Sequence, residues 1–198
     1  LKGSSKMLYS NLSVNNKGHL EIAGHDTVEL AAKYGTALFA MDEDKLRKNC
    51  RVYVDSMKKY FGEDSMPLYA SKALCFTEIY RIVSSCGMGT DIVSSGELYT
   101  AIKAGFPLEK AYFHGNNKTD ADIEYAIENG IGYFIVDNEE ELCAVDRIAS
   151  SHGINQKILL RITPGIDPHT HKAVVTGNVD SKFGSPIETG RAFEITDM

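Results

Sequence analysis

Short apolar segments alternate with amphipathic segments from Pro67 onward, and this alternation limits the fold more than any other feature of the sequence. Each of five strand-like segments precedes a segment whose apolar residues have helical spacing. The strand-like segments start at intervals of roughly 22 residues, the length of a βα unit. Strands that alternate with helices predict an α/β fold with a parallel sheet, either doubly wound or closed as a (β/α)8 barrel. The predicted strands are residues 68–71, 90–93, 111–114, 133–136 and 157–162.

The first 66 residues have a different pattern. Residues 15–18 lie between apolar stretches and predict a hairpin turn. Asp26 or Thr27 can cap a short helix that ends at Gly35. Residues 37–41 then predict a strand, and a long helix is predicted from Asp42 to about residue 61.

The composition indicates a soluble globular protein and excludes several classes of partner. The chain has 198 residues, of which 43% are apolar and 24% charged, with a net charge of −6. No basic run is present, which argues against nucleic acid and anionic membranes as partners. The cysteines have no C-x-x-C spacing, so we predict reduced thiols in a cytoplasmic protein. They are Cys50, Cys75, Cys86 and Cys143.

Ionisable residues gather where the predicted strands end. Lys72 follows the first strand, while Asp91 lies in the second and Glu97 shortly after it. His114 ends the third strand, and Arg161 lies near the end of the fifth. Active sites of barrels are built at the carboxyl ends of the strands. We therefore predict a polar cavity at this face, with the Lys72 amine pointing into it.

Lys72 is the most informative of these residues. A lysine at the end of a buried strand loses solvation, which lowers its pKa and suits a Schiff-base lysine. Each residue also has a structural interpretation. Lys72 could be an exposed junction lysine, and Asp91 and Glu97 could be capping or turn residues. His114 could be a core histidine, and Arg161 could form a structural ion pair.

Two other patterns carry less information. Gly87-Met88-Gly89 is half of a dinucleotide fingerprint, but it follows a helix and is better interpreted as an αβ turn. Residues 167–171 contain Asp, His and His, which are metal-ligand types. Because a proline-containing loop is a poor scaffold for ligands, we predict no metal site.

Several separated motifs resemble those of the alanine-racemase-like, fold-type III pyridoxal-phosphate decarboxylases. Residues 69–73 (Tyr-Ala-Ser-Lys-Ala) are similar to the lysine motif of that family, and residues 91–98 to its second-strand motif. Residues 114–118 (His-Gly-Asn-Asn-Lys) and 161–167 resemble the diaminopimelate decarboxylase branch in particular. His171, residues 176–177 and residues 181–184 continue that resemblance, which covers nearly the whole chain from about residue 11.

The resemblance implies a (β/α)8 pyridoxal-phosphate barrel and a β-domain built from both ends of the chain. Residues 1–36 would belong to the β-domain and residues 37–198 to part of the barrel. The implied reaction is decarboxylation of meso-2,6-diaminopimelate to L-lysine by a cytoplasmic homodimer with bound pyridoxal 5'-phosphate.

The same resemblance assigns roles to individual residues. Lys72 would be the Schiff-base lysine, with Asp91 and Glu97 beside it to tune its protonation. Arg161 would donate a hydrogen bond to the phenolic oxygen of the cofactor. The residues implied to line the cofactor side of the pocket are His114 and Asn116.

The length of the chain departs from the family pattern. A closed barrel needs eight strands and typically about 250 residues. We therefore expect an N-terminal part of the enzyme that is inactive alone, with its first and fifth strands as unpaired edges. Alternatives are an ornithine- or arginine-type decarboxylase, a non-catalytic pyridoxal-phosphate-binding homologue, and a barrel enzyme without this cofactor.

Overall fold

The computed structural model describes residues 9–166 and 183–198. It contains two compact units, Leu1–Asp55 and Ser56–Met198. Helix α2 (Glu43–Phe61) crosses the boundary between them and matches the predicted long helix. The predicted domain boundary after residue 36 stays a prediction. No helix within the described ranges combines the length and apolar character needed to cross a lipid bilayer.

The first unit contains a small antiparallel sheet followed by a helix. The Asn15 side-chain oxygen accepts hydrogen bonds from the backbone N–H groups of Lys17 and His19, both at 3.0 Å, and this closes the β1–β2 hairpin. Asp26 caps α1, and Gly35 ends it with a φ of 83°. The predicted hairpin and helix are confirmed. The elements are β1 (Leu12–Val14), β2 (Leu20–Ile22), β3 (His25–Asp26) and α1 (Thr27–Tyr34), with strand order β1-β2-β3.

The strand predicted at residues 37–41 is wrong. These residues form no helix or strand, although their composition is apolar. A strand requires a hydrogen-bonded neighbour, and the described part of the chain supplies none to this segment. Phe39 at its centre is 98% exposed.

The second unit consists of repeated strand–helix pairs. Its strands are β4 (Leu68–Ala70), β5 (Gly89–Ile92), β6 (Ala111–Phe113), β7 (Tyr133–Val136), β8 (Ile158–Leu160), β9 (Ile162–Thr163) and β10 (Ser185–Pro186). Its helices after α2 are α3 (Thr77–Ser85), α4 (Ser95–Ala104), α5 (Asp120–Glu128), α6 (Glu139–Ser151) and α7 (Arg191–Thr196). Single 3-10 turns cover Ser71–Ala73 and Leu108–Lys110.

Strands β4 to β8 form one parallel sheet in chain order. This confirms the predicted α/β class with a parallel sheet. Successive residues of a strand point to opposite faces, so Asp91 shares a face with its register partner Tyr112. The opposite face is buried in the central strands, where Phe113 and Phe134 stack at a centroid distance of 5.8 Å. Replacing such a buried phenylalanine with alanine typically costs about 3–5 kcal/mol, so this face anchors the sheet.

The fifth predicted strand is divided in two. Strand β8 pairs with β7, whereas β9 pairs in parallel with β10. The break falls at Arg161, whose N–H donates to the Val136 carbonyl while its own carbonyl accepts from Ser185 N. Residues 162–163 are therefore not the unpaired edge that the sequence predicted. Strands β4 and β8 do lie at the two edges of the five-stranded sheet, as predicted for the first and fifth strands.

Candidate functional site

A cavity of about 710 Å³ opens at the carboxyl ends of the sheet strands. Its wall is built from the residues that follow β4, β5, β6 and β8, as expected where parallel strands end together. Five of the six predicted site residues line it: Lys72, Asp91, His114, Asn116 and Arg161. The sixth, Glu97, is not among the lining residues in the described part of the chain.

Lys72 lies in the 3-10 turn after β4, and its side chain reaches the cavity wall. The expectation that it ends a buried strand is wrong, because β4 is a partly exposed edge strand and Lys72 itself is exposed. The preceding Ser71 is fully buried and anchors the turn. Its Oγ lies 2.9 Å from both the Asp91 carbonyl oxygen and Glu97 Oε2. The backbone that carries Lys72 is thus tied to β5.

Asp91 has an unpartnered carboxylate oxygen. Its Oδ1 is the one buried side-chain nitrogen or oxygen without a hydrogen-bond partner in residues 9–166 and 183–198. Burial raises the pKa of Asp91 to about 6, against the opposing attraction of the Lys72 ammonium. A buried acceptor without a donor is costly, typically about 1–3 kcal/mol. A bound ligand could supply the missing donor.

Glu97 lies behind the cavity wall. Its Oε2 accepts hydrogen bonds from the Val93 backbone N–H at 2.6 Å and from the Ser71 hydroxyl at 2.9 Å. The Tyr80 hydroxyl donates to the Glu97 carbonyl at 3.2 Å. This geometry favours a positioning role, in which Glu97 joins the turn carrying Lys72 to the start of α4.

His114 is half-buried at the end of β6. Its backbone N–H donates to the Ile92 carbonyl at 2.7 Å, and its Nδ1 accepts the Gly115 N–H at 2.8 Å. Gly115 has a φ of 109°, a conformation that residues with a side chain rarely adopt. Burial lowers the pKa of His114, and the cations of Arg161 and Lys118 lower it further. The imidazole therefore presents its Nε2 in a neutral ring.

Arg161 is held on two sides. Its Nη1 lies 3.3 Å from Asp137 Oδ1, and its guanidinium carbon lies 4.3 Å from the centroid of the Phe183 ring. Gly184 permits this approach, since a Cβ there would lie 3.0 Å from both the Arg161 carbonyl oxygen and Thr163 Oγ1. The ion pair considered from the sequence is present, yet the guanidinium still lines the cavity.

Sequence reasoning missed a buried ion pair next to the cavity. Lys118 Nζ lies 2.6 Å from Glu141 Oε1, and the two side chains are only 2% and 6% exposed. Lys118 also donates to the carbonyls of Gly115 and Ile135. The spacing of Asn138 and Glu141 is typical of a helix start, but nothing in that spacing indicates burial.

Metal-ligand types occur together at one surface position. Ligand atoms of Glu124, Glu128 and His152 lie within 4.8 Å of one another, and all three residues are exposed. His152 Nε2 already lies 3.1 Å from Glu124 Oε1 as a surface pair, so we assign the group no role. Residues 167–171, which were considered as a metal loop, lie outside the described residues together with the motif positions up to 182.

The cavity combines an amine, a guanidinium, an imidazole and a carboxylate of raised pKa. An amine can bond covalently to a carbonyl carbon, while a guanidinium binds an oxygen anion. This set of groups therefore fits a small anionic ligand that carries a carbonyl group.

Comparisons with known proteins agree with this chemistry. The family model described as "Pyridoxal-dependent decarboxylase, pyridoxal binding domain" matches residues 44–196. The diaminopimelate decarboxylase of Bacillus methanolicus is 45% identical over 184 residues, which cover 93% of this chain and 42% of that protein. The enzyme of the same name from Halalkalibacterium halodurans is 46% identical over 179 residues, 90% of this chain and 40% of that protein. The chain thus spans about two fifths of the length of these relatives.

A crystal structure of diaminopimelate decarboxylase from M. jannaschii, in complex with L-lysine, matches with a TM-score of 0.84 and 34% identity. The match covers 96% of this chain and 44% of the other. A second crystal structure of the same enzyme matches with a TM-score of 0.83 and 34% identity, over 95% of this chain and 44% of the other. The family model covers more than half of the chain, and the predicted family is confirmed. This chain belongs to the pyridoxal-dependent decarboxylases and carries their pyridoxal-binding domain.

Proposed function

We propose that this chain is the pyridoxal-phosphate-binding part of an enzyme that decarboxylates meso-2,6-diaminopimelate to L-lysine. The observation that carries the proposal is the buried, unpartnered Asp91 Oδ1 in the same cavity as the Lys72 amine. A carboxylate oxygen left without a donor marks a place where a ligand group completes the hydrogen bonding.

The cavity residues fit pyridoxal phosphate. Lys72 offers the amine that would hold the aldehyde carbon, and Arg161 offers donors for the phenolic oxygen. His114 and Asn116 would form the adjoining wall. Bound pyridoxal phosphate supplies an electron sink for the carbanion that remains when carbon dioxide leaves. Asp91, with a pKa of about 6, can hold or release a proton beside the amine near neutral pH.

Two further observations support the choice of substrate. Both bacterial relatives at 45% and 46% identity are named diaminopimelate decarboxylase. One similar structure contains L-lysine, the expected product of that reaction. The proposal includes a homodimer in the cytoplasm, which is supported by the family resemblance.

Cofactor attachment at Lys72 tests the binding part of the proposal. Added pyridoxal phosphate should give an absorbance band near ~420 nm that Lys72→Ala abolishes. Borohydride treatment followed by peptide mass spectrometry should find the cofactor's mass on Lys72. Lys103→Ala, at an exposed lysine of α4, is the matched control and should leave both signals unchanged. Attachment at another lysine would contradict the assignment.

The activity is tested with the full coding sequence. We expect release of carbon dioxide from meso-diaminopimelate together with formation of lysine, and we expect Lys72→Ala to stop both. Preferential turnover of ornithine or arginine would instead favour the related decarboxylases. Cofactor binding without turnover of any of these amino acids would favour the non-catalytic homologue.

A further inference from the structure

Two of the ion pairs between the α5 region and α6 differ in burial. Asp120, at the start of α5, lies 2.8 Å from Arg147 of α6, with more than half of each side chain exposed. Lys118, two residues earlier, lies 2.6 Å from Glu141 in the first turn of α6, with both side chains almost completely buried. Surface pairs contribute little to stability, whereas a buried pair must compensate a large loss of solvation.

We propose that Lys118 and Glu141 are positioning residues that fix the His114 loop and the Asp137–Arg161 pair in the geometry that binds the cofactor. Neither residue is assigned this role by the family resemblance. The identity of the cofactor rests on the function proposed above, whereas the positioning of His114 can be measured without it.

Lys118 fixes the backbone of the loop after β6. All three Nζ protons of Lys118 have acceptors: Glu141 Oε1 at 2.6 Å, the Gly115 carbonyl at 2.7 Å and the Ile135 carbonyl at 2.9 Å. Gly115 in turn donates its N–H to His114 Nδ1. Because Lys118 holds Gly115 by its carbonyl, the ammonium fixes the backbone that orients the imidazole. His114 is thereby kept in the tautomer with the proton on Nε2.

Glu141, the other member of the pair, contacts the residue that holds Arg161. Glu141 Oε2 accepts the Asp137 backbone N–H at 3.3 Å, and Asp137 Oδ1 contacts Arg161 Nη1 at the same distance. The Glu141 carboxylate thus connects the His114 loop with the residue that holds Arg161. The positions of His114 and Arg161, which follow separate strands, therefore depend on the buried carboxylate of Glu141.

The effect of the Lys118–Glu141 pair on the geometry of the cavity can be measured apart from its effect on the stability of the fold. Removing one partner of a buried pair leaves an uncompensated charge and is strongly destabilising, but replacing both with apolar residues is often neutral. Burial lowers the pKa of Lys118 and raises that of Glu141, while their mutual attraction opposes both shifts. Because burial outweighs the mutual attraction in both groups, we assign the pair a role in geometry and not a net gain in stability.

The experiment compares Lys118→Met, Glu141→Leu and the double variant in the full-length protein. The control is Arg147→Met with Asp120→Leu, which removes the exposed pair between the same elements. Urea unfolding measures stability. Nitrogen-15 NMR of labelled histidine, assigned with His114→Gln, reports the tautomer of His114. An absorbance titration reports pyridoxal phosphate affinity.

We expect both single variants to be destabilised and the double variant to recover most of the lost stability. The double variant should still lose the Nε2–H tautomer signature. Its cofactor affinity should fall about tenfold, the lower end of the range for a hydrogen bond to a charged group, because the cavity residues are displaced but not removed. The control should change neither signal. A double variant with the native tautomer signature and native affinity would show that the pair is merely structural and would overturn the proposal. If the parent protein binds no cofactor, the proposed function fails, but the tautomer comparison still decides this inference.

Discussion

Asp26 in the first unit and Asp91 in the second have opposite electrostatic surroundings. Asp26 accepts four hydrogen bonds, from Asn15 Nδ2, His19 Nδ1 and the backbone N–H groups of Val28 and Glu29, at 2.8–3.3 Å. Burial pushes its pKa up, but the hydrogen bonds, led by that of His19, outweigh burial and hold the pKa well below its usual value. Asp91 leaves Oδ1 unpartnered, and burial raises its pKa to about 6.

The difference shows that the supply of donors, more than burial, separates a structural carboxylate from a binding one. Asp26 is satisfied within its own unit, where it caps α1 and fastens the β1–β2 hairpin to it. Asp91 Oδ1 has no donor, and the residue lies in the wall of the cavity that Lys72 also lines. Unsatisfied polar groups and raised pKa values of this kind gather at functional sites.

The largest expected effect is on cofactor affinity. Asp91→Asn removes the charge that would attract a cationic donor of the ligand, and one charge-assisted hydrogen bond corresponds to about a hundredfold in affinity. We expect the dissociation constant for pyridoxal phosphate to rise by about that factor in an absorbance titration. Asp26→Asn should leave it unchanged. Equal losses in the two variants would remove the distinction between the carboxylates.

The two substitutions should also change stability in opposite directions. Asp26→Asn replaces a carboxylate that accepts four hydrogen bonds with a neutral amide. Because these hydrogen bonds become weaker or are lost, the urea midpoint should fall. Asp91→Asn removes a half-buried charge with a raised pKa, so the cofactor-free protein should gain about 1 kcal/mol at pH 8. This value is discounted for solvent screening of the exposed part of the side chain. A loss of stability in Asp91→Asn would mean that this carboxylate has an unseen structural partner.

Features that arise from local pattern or from topology were predictable from the sequence. The order of strands and helices was predictable because apolar periodicity is local, and the cap at Asp26 follows from residue type and position. The placement of Asp91, His114 and Arg161 on one cavity follows from strand ends meeting at one sheet edge. All of these depend on short-range pattern or on topology.

Features that depend on particular three-dimensional partners were not predictable. The family resemblance implies that Glu97 lies beside Lys72, but the hydrogen bond of its carboxylate to Ser71, the residue before Lys72, could not be predicted. The Lys118–Glu141 pair joins residues 23 positions apart, and local spacing says nothing about their burial. The exposure of Lys72 follows from the edge position of β4, since a lysine on a central strand would be more enclosed.

The pH dependence of stability should distinguish the two carboxylates. The raised pKa of Asp91 means that the folded state binds its proton more tightly than the unfolded state. Its stabilising contribution is complete below about pH 3.8 and is lost as the pH rises through about 6. The stability advantage of Asp91→Asn over the parent should therefore shrink as the pH falls from 8 to 5, as measured by urea unfolding. A constant difference over this range would contradict the raised pKa.

The smallest effect concerns a single donor to Asp26. The lowered pKa of Asp26 gives stability that is present above its unfolded pKa and is lost as the pH falls through the folded value. His19→Ala removes one of the four donors, so the pKa should move up toward its usual value and acid unfolding should begin at a higher pH. At neutral pH we expect only a small fall in the urea midpoint, because the ring is partly exposed and three donors remain.

His25→Ala, at an exposed histidine of β3, is the matched control and should leave the pH of acid unfolding unchanged. Coincident acid transitions for His19→Ala and the parent would show that the remaining donors, Asn15 and the N–H groups of Val28 and Glu29, hold Asp26 without His19.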